Sequence, residues 1–228
     1  MGVRTRTTTV AFLFDIDGTL ITTGGAGAVA WRRAFDELYG IPADIGKFTD
    51  AGMTDPEVGS LTFTSVIGRE PTPDELAQVM ARRLDYLPEA VAESKGYEVL
   101  PGVVELLPRL AEADYLLGLT TGGMEDAARI KLERAGLNGY FTFGGYGSDS
   151  PDRAELTKRG IERAQAAYGE PLEPSRCAVV GDTPLDISAA HAAKAVAIGV
   201  ASGHFSVDDL RAAGADHVLA SLEEELPT

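Results

Sequence analysis

Short apolar runs rich in β-branched and aromatic residues recur at 9–14 (TVAFLF), 115–120 (YLLGLT), 140–144, 176–180 and 195–200, and helix-length segments separate most of them. A strand that is apolar throughout is buried on both faces. Alternation with helices meets that demand through a parallel sheet covered by helical layers, so the expected class is α/β, a three-layer parallel-sheet core. Helix starts are written into the chain: Thr72-Pro73-Asp74-Glu75 combines an N-cap, a proline in the first turn and a capping-box acid, Ser206 with Asp209 repeats the box, and Pro101 opens a further helix. The segment 22–95 lacks such strands, and its patterns at 26–39, 55–67 and 73–94 are helical. This predicts a helical subdomain inserted after the first strand and returning at Gly96 to Pro101, with residues 1–21 and 96–228 forming the α/β core and 22–95 the insert.

At 228 residues, 44% hydrophobic and 24% charged, the chain is large enough to bury its own core as one large domain or two small ones. Asp and Glu outnumber Lys and Arg by 35 to 20, a net charge of -15. Binding to a nucleic acid needs a clustered basic face to displace counterions, and the only basic cluster is Arg4 to Arg6, so no nucleic-acid partner is expected. No apolar run approaches the roughly 18 residues that span a bilayer, and the start MGVRTRTTTV lacks a secretory apolar region, which predicts a cytoplasmic protein without a membrane partner. Gly2 does not open a myristoylation motif, because Arg6 stands where Ser or Thr is needed. The single Cys177 sits in an apolar run and reads as a core residue. Glu223-Glu224-Glu225 reads as a solvated helix face, and the protein is expected to be a monomer or homodimer.

The strongest local signal is Asp15-Ile16-Asp17-Gly18-Thr19, directly after the apolar run ending at Phe14. A strand ending there places both carboxylates at its carboxyl edge, where open α/β sheets bind ligands. Two such acids repel each other, and a hard cation such as Mg²⁺ is their natural companion. A turn is the simpler reading, and an EF-hand fails because the twelfth loop position is Ala26 rather than Glu. A second acidic group, Gly181-Asp182-Thr183-Pro184-Leu185-Asp186, again follows a buried-strand pattern, so two strand ends of one sheet can converge on one metal. Alone it would be a strand-to-helix loop with Asp186 in a favourable first helical turn. Thr120-Thr121-Gly122-Gly123 brings hydroxyls and backbone amides to a helix N-terminus, an anion site. Arg153 opens a helix after the run near 141–143, with Lys158 and Arg159 as rivals on the same helix.

Taken in order, these motifs resemble the haloacid dehalogenase-like phosphohydrolases over nearly the whole chain, which implies a Rossmann-like core. The insert resembles that family's helical cap of the first type, and the layout is similar to phosphoglycolate phosphatase-like members. Two residues depart from the family pattern: Arg153 stands where Lys is usual, and Gly122 follows Thr121 where Asn is frequent. The resemblance implies Asp15 as a nucleophile that forms an aspartyl phosphate and Asp17 as general acid and then base. It also implies Mg²⁺ held by Asp15, Asp17 through its carbonyl, and Asp182, with Asp186 as a further ligand or orienter. Thr121, Gly122 and Arg153 would bind the phosphoryl oxygens.

The function expected on this resemblance is hydrolysis of a small phosphorylated metabolite, with phosphoglycolate one example. Asp17 favours an ester over a carbon–halogen bond, because an alkoxide needs a proton and a halide does not. A sugar-phosphate mutase and a catalytically silent binding protein remain alternatives. Gly24-Gly25-Ala26-Gly27 is expected to hinge the insert, while neither it nor Gly144-Gly145-Tyr146-Gly147 fits a dinucleotide fingerprint. Trp31, Phe35 and Tyr39 follow helical spacing as core of the insert, and His191, His204 and His217 carry no assigned role.

Overall fold

The computed structural model describes residues 9–227. The segment Arg4 to Arg6 and Gly2 lie outside the described residues. In chain order the elements are β1 (Ala11–Phe14), β2 (Ile21–Thr23), α1 (Ala26–Tyr39), α2 (Asp55–Ile67), α3 (Pro73–Glu93), β3 (Tyr97–Val99), α4 (Val103–Glu112) and β4 (Leu116–Thr121). They continue with α5 (Glu125–Glu133), β5 (Phe143–Tyr146), α6 (Arg153–Tyr168), β6 (Cys177–Gly181), α7 (Pro184–Ala192), β7 (Val196–Val200), α8 (Val207–Ala212) and β8 (His217–Leu219).

Six strands form a parallel sheet in the order β5-β4-β1-β6-β7-β8, which places β1 at the centre, in register with β4 on one side and β6 on the other. Alternation along β1 sorts its side chains between two cores. Phe12 and Phe14 pack with Leu106, Leu107 and Leu110 of α4 and Leu132 of α5. Ala11 and Leu13 face the other way, toward Ile161 of α6, Ile187 of α7 and Leu210 of α8. The result is the helix–sheet–helix layering that uninterrupted apolar strands require, each buried Phe or Leu side chain contributing on the order of 2 kcal/mol. Cys177 is fully buried among these residues, and burial pushes its thiol up to about 11.

The chain leaves the sheet through a two-stranded antiparallel ribbon, β2 with β3, and α1, α2 and α3 lie between these strands. Gly24 and Gly25 adopt positive φ (59° and 87°), and a Cβ on Gly24 would overlap the Gly96 backbone, so the outgoing and returning chains cross in close contact. The three helices carry their own core: Trp31, Phe35, Val58, Phe63 and Val79 are buried together, and Tyr39 packs edge-on against Phe63 with ring centroids 5.3 Å apart. A second cluster joins Ala30, Leu87 and Val91 to Ala127 of α5, seating the helical insert on the sheet domain. Thr72 caps α3 with its hydroxyl accepting from the Glu75 amide at 3.2 Å, as the sequence signature requires.

Several local expectations shift. The run at 140–144 becomes a strand only from Phe143, because Asn138–Tyr140 form a short 3-10 turn and Phe141 fills the core from the loop, its ring centroid 6.2 Å from that of Phe14. Helix α4 begins at Val103 after Gly102, not at Pro101. Glu223–Glu225 lie in a turn and not on a helix: Leu222 and Leu226 are buried, so the segment is strapped to the core and the acids stay outside. The ribbon strands β2 and β3 and the edge strand β8, three residues each, were too short to leave a periodic signal. Among the described residues no helix is long and apolar enough to cross a membrane.

Candidate active site

The carboxyl ends of β1, β4 and β6 lie side by side, and the residues that follow them face one cavity of ≈ 460 Å³. The Asp15 amide still donates to the Val180 carbonyl at 2.8 Å, which fixes the nucleophile candidate to the sheet edge. Ile16 is fully buried, and its carbonyl accepts from the amides of Thr19, Leu20 and Ile21, folding the chain back sharply after the strand. The two acids on either side of this anchor reach the cavity in different environments: the Asp15 side chain is 8% exposed and that of Asp17 is 44% exposed.

Two further carboxylates arrive from β6. Asp182 follows the strand, and Thr183 caps α7. Asp186 Oδ2 accepts the Thr183 amide at 3.0 Å and its hydroxyl at 2.7 Å, while Oδ1 accepts Arg153 Nε at 3.1 Å and Nη2 at 2.5 Å. Arg153 Nη2 also donates to Asp15 Oδ1 at 2.9 Å. The Thr19 hydroxyl donates to Asp182 Oδ1 at 3.4 Å. Oxygens of Asp15, Asp182 and Asp186 lie within 4.8 Å of one another, and all three residues are buried.

One guanidinium cannot compensate three buried carboxylates. Burial pushes the Asp15 carboxyl up to about 7, with Arg153 pulling it down and Asp186 and Asp17 raising it again. Burial and the neighbouring Asp15 and Asp186 push Asp182 up to about 8. Burial alone would make Arg153 more acidic, but Asp186 and Asp15 outweigh it and hold the guanidinium charged. An acidic cluster of hard oxygen donors short of positive charge fits a divalent cation such as Mg²⁺.

Arg153 stands among the acids, whereas Lys158 and Arg159 point outward to Glu155 and Glu162 at 2.6 Å and 2.7 Å. At the end of β4, strand alternation separates the two threonines. Thr120 turns into the core, its hydroxyl 3.0 Å from that of Thr157, and Thr121 with Gly122 and Gly123 lines the cavity.

Three contributors escaped the sequence reading. Lys131 of α5 is buried beside the cavity and forms an ion pair with Asp17. No spacing rule marks it, because it reaches the site only through the docking of α5 on the sheet. Ala51, Gly52, Met53 and Asp55 of the insert close one wall, and His204, assigned no role from sequence, lines the cavity beside Ser202.

A parallel α/β sheet that gathers acids and a buried arginine at its carboxyl edge, beneath a helical insert, presents them where open α/β sheets bind ligands. The chain belongs to the haloacid dehalogenase-like hydrolase family, which matches residues 9–194. It is 30% identical over 225 residues to validoxylamine A 7'-phosphate phosphatase of Streptomyces hygroscopicus subsp. limoneus, covering 93% of each chain. Against a phosphoglycolate phosphatase of Rhodospirillum rubrum it is 31% identical over 222 residues, 90% of this chain and 84% of that one. A solved hydrolase from Pseudomonas syringae superposes with a TM-score of 0.72 at 26% identity, covering 94% of this chain and 95% of that one.

Proposed function

We propose that the protein is a Mg²⁺-dependent phosphatase that hydrolyses a small phosphorylated metabolite through an aspartyl phosphate on Asp15. The observation that carries this reading is the Arg153 guanidinium shared between Asp15 and Asp186 at the end of the central strand. It sets Asp15 in a buried position beside a fixed cation, the setting a carboxylate nucleophile needs to approach an anionic ester. The names of the two relatives support phosphate monoesters as the substrate class, and a cavity of ≈ 460 Å³ suits a small leaving group.

In the first half-reaction Asp15 forms a bond to phosphorus as the ester oxygen departs, and Asp17 gives that oxygen a proton. Water then attacks phosphorus, Asp17 takes its proton, and orthophosphate leaves as the Asp15 carboxylate is restored. Arg153, the Thr121 hydroxyl and the Gly122 amide hold the phosphoryl oxygens. Asp15, Asp182 and the Asp17 carbonyl are the donors available to Mg²⁺, which supplies positive charge against the carboxylates and the phosphoryl group. Both Asp186 oxygens are filled by Arg153 and Thr183, so Asp186 orients the arginine. Residues 22–95 act as the cap over the α/β core, turning at the Gly24–Gly96 crossing.

The test is orthophosphate release from a panel of sugar, polyol and short-chain acid phosphates, with and without Mg²⁺. Turnover of at least one ester, lost on chelation, is expected. Rearrangement of a sugar phosphate without net release would replace this reading with a mutase.

Lys131 gives a finer prediction, because its pairing with Asp17 sets where the proton donor points. Lys131→Met should lower kcat/KM, which reports the step that expels the leaving group, by about tenfold on an alkyl phosphate and leave it within about twofold on an aryl phosphate, whose leaving group needs no proton. Equal losses on both esters would remove Lys131 from proton delivery.

A further inference from the structure

The segment Gly52 to Asp55 is joined to loops that follow different strands of the sheet. The Asp55 amide donates to the Gly122 carbonyl at 2.8 Å, and the Asp55 carboxylate accepts the Met124 amide at 2.8 Å. Arg153 Nη1 donates to the Gly52 carbonyl at 2.8 Å, and the Thr54 hydroxyl lies 3.0 Å from the Pro151 carbonyl. Asp55 therefore brackets the phosphate-loop candidate, one bond on each side of Gly123.

The lack of a side chain at residue 122 is what permits this contact. A Cβ there would stand 2.6 Å from the Met53 carbonyl oxygen, 2.9 Å from Thr54 Cα and 3.1 Å from Arg153 Nη1. An Asn at this position would hold the insert away, so the departure from the family pattern has a steric cause in this chain.

Electrostatics favour the same placement. Met124 opens α5, and no side chain of its own caps that helix. Asp55 supplies the acceptor from another part of the chain while sitting in the first turn of α2, so its charge faces two helix N-termini. Arg83 completes the balance at 2.8 Å, held in turn 5.2 Å over the Trp31 ring. Both side chains are almost fully buried, at 11% and 3% exposure, which marks the pair as a built feature and not a surface contact.

We propose that Asp55 is a positioning residue that carries docking of the helical insert into the phosphate site: it holds Gly122 and Met124 so that the Thr121 hydroxyl and the Gly122 amide face Asp15. The site is then complete only in the docked state, and Arg83 keeps the Asp55 carboxylate aimed at α5. This rests on the phosphatase reading, and the experiment separates the two.

Orthophosphate binding to the Mg²⁺-loaded full chain is measured by calorimetry, and amide exchange is followed over residues 120–126 without substrate. The variants are Asp55→Ala, Asp55→Asn and Asp55→Ala with Arg83→Met, the last leaving no unpaired buried charge that could unfold the insert. Asp55→Ala and the double variant should weaken orthophosphate binding by about tenfold or more and speed exchange at 122–124. Asp55→Asn, which keeps an acceptor for the Met124 amide, should recover much of both. Where esters are turned over, kcat/KM should fall by the same factor for aryl and alkyl phosphates. Unchanged exchange and unchanged orthophosphate affinity in the double variant would overturn the proposal, as would a loss confined to one ester, which would mean direct contact with the leaving group. Absence of turnover in the wild type would count against the phosphatase reading alone, because exchange and orthophosphate binding report the loop without it.

Discussion

Asp15→Asn is expected to abolish orthophosphate release, with a loss of about 10⁴-fold or more, while the protein stays folded. The amide is nearly isosteric, but it cannot form the aspartyl phosphate, and loss of a nucleophile removes a whole pathway and not one contact. The same substitution should leave the metal-free protein as stable as wild type or more so near pH 8. Asp15 is pushed up to about 7 mainly by burial, so its charged form costs more in the folded than in the unfolded chain. Arg153 keeps Asp186 as a partner, so no cation is orphaned. Residual turnover within about tenfold of wild type would exclude Asp15 as the nucleophile, and a cooperative melting transition at unchanged temperature would show that lost activity is not lost fold.

The second large effect is the pH dependence of stabilisation by Mg²⁺. The carboxyls of Asp15 and Asp182 titrate at about 7 and about 8, above their ordinary value of 3.8, so the folded chain retains protons that the unfolded chain has released in between. Stability of the metal-free protein is therefore full below about pH 4 as far as these groups are concerned, and it falls as pH rises through about 7–8. A divalent cation must displace those protons at low pH and finds the carboxylates already ionised at high pH. Saturating Mg²⁺ should raise Tm by about 5–10 °C near pH 8.5 and by less than about 2 °C near pH 5.5. Asp182→Asn should remove most of the difference. A shift of equal size at both pH values would count against a metal site built on these acids.

Much of the architecture was legible because its signals are local. Buried strands must be apolar along their length, so β1, β4, β6 and β7 stood out, and α1 and α2 occupy the residues their periodicity marked. Capping boxes fixed the starts of α3 and α8 through hydrogen bonds between residues three apart. The signal failed where residues serve the core without a regular element: Phe141 packs from a loop, and Leu222 and Leu226 pin a turn. Strands β2, β3 and β8 are too short to show a period, and their pairing comes from partners distant in the chain.

For the site, the sequence by itself determined which acids end buried strands, because Asp15 and Asp182 must emerge where an apolar run stops. It also determined that a Thr-Gly-Gly loop precedes a helix. Tertiary structure decided which cation joins them. Arg153, Lys158 and Arg159 share one helix, and only its packing against the sheet turns Arg153 toward Asp15 and Asp186. The same holds for Lys131 on Asp17 and for Asp55 on the phosphate loop, since each lies more than sixty residues from its partner. Propensity acts over a few neighbouring residues, whereas the charge balance of a buried site is set by whatever the fold brings within a few ångströms.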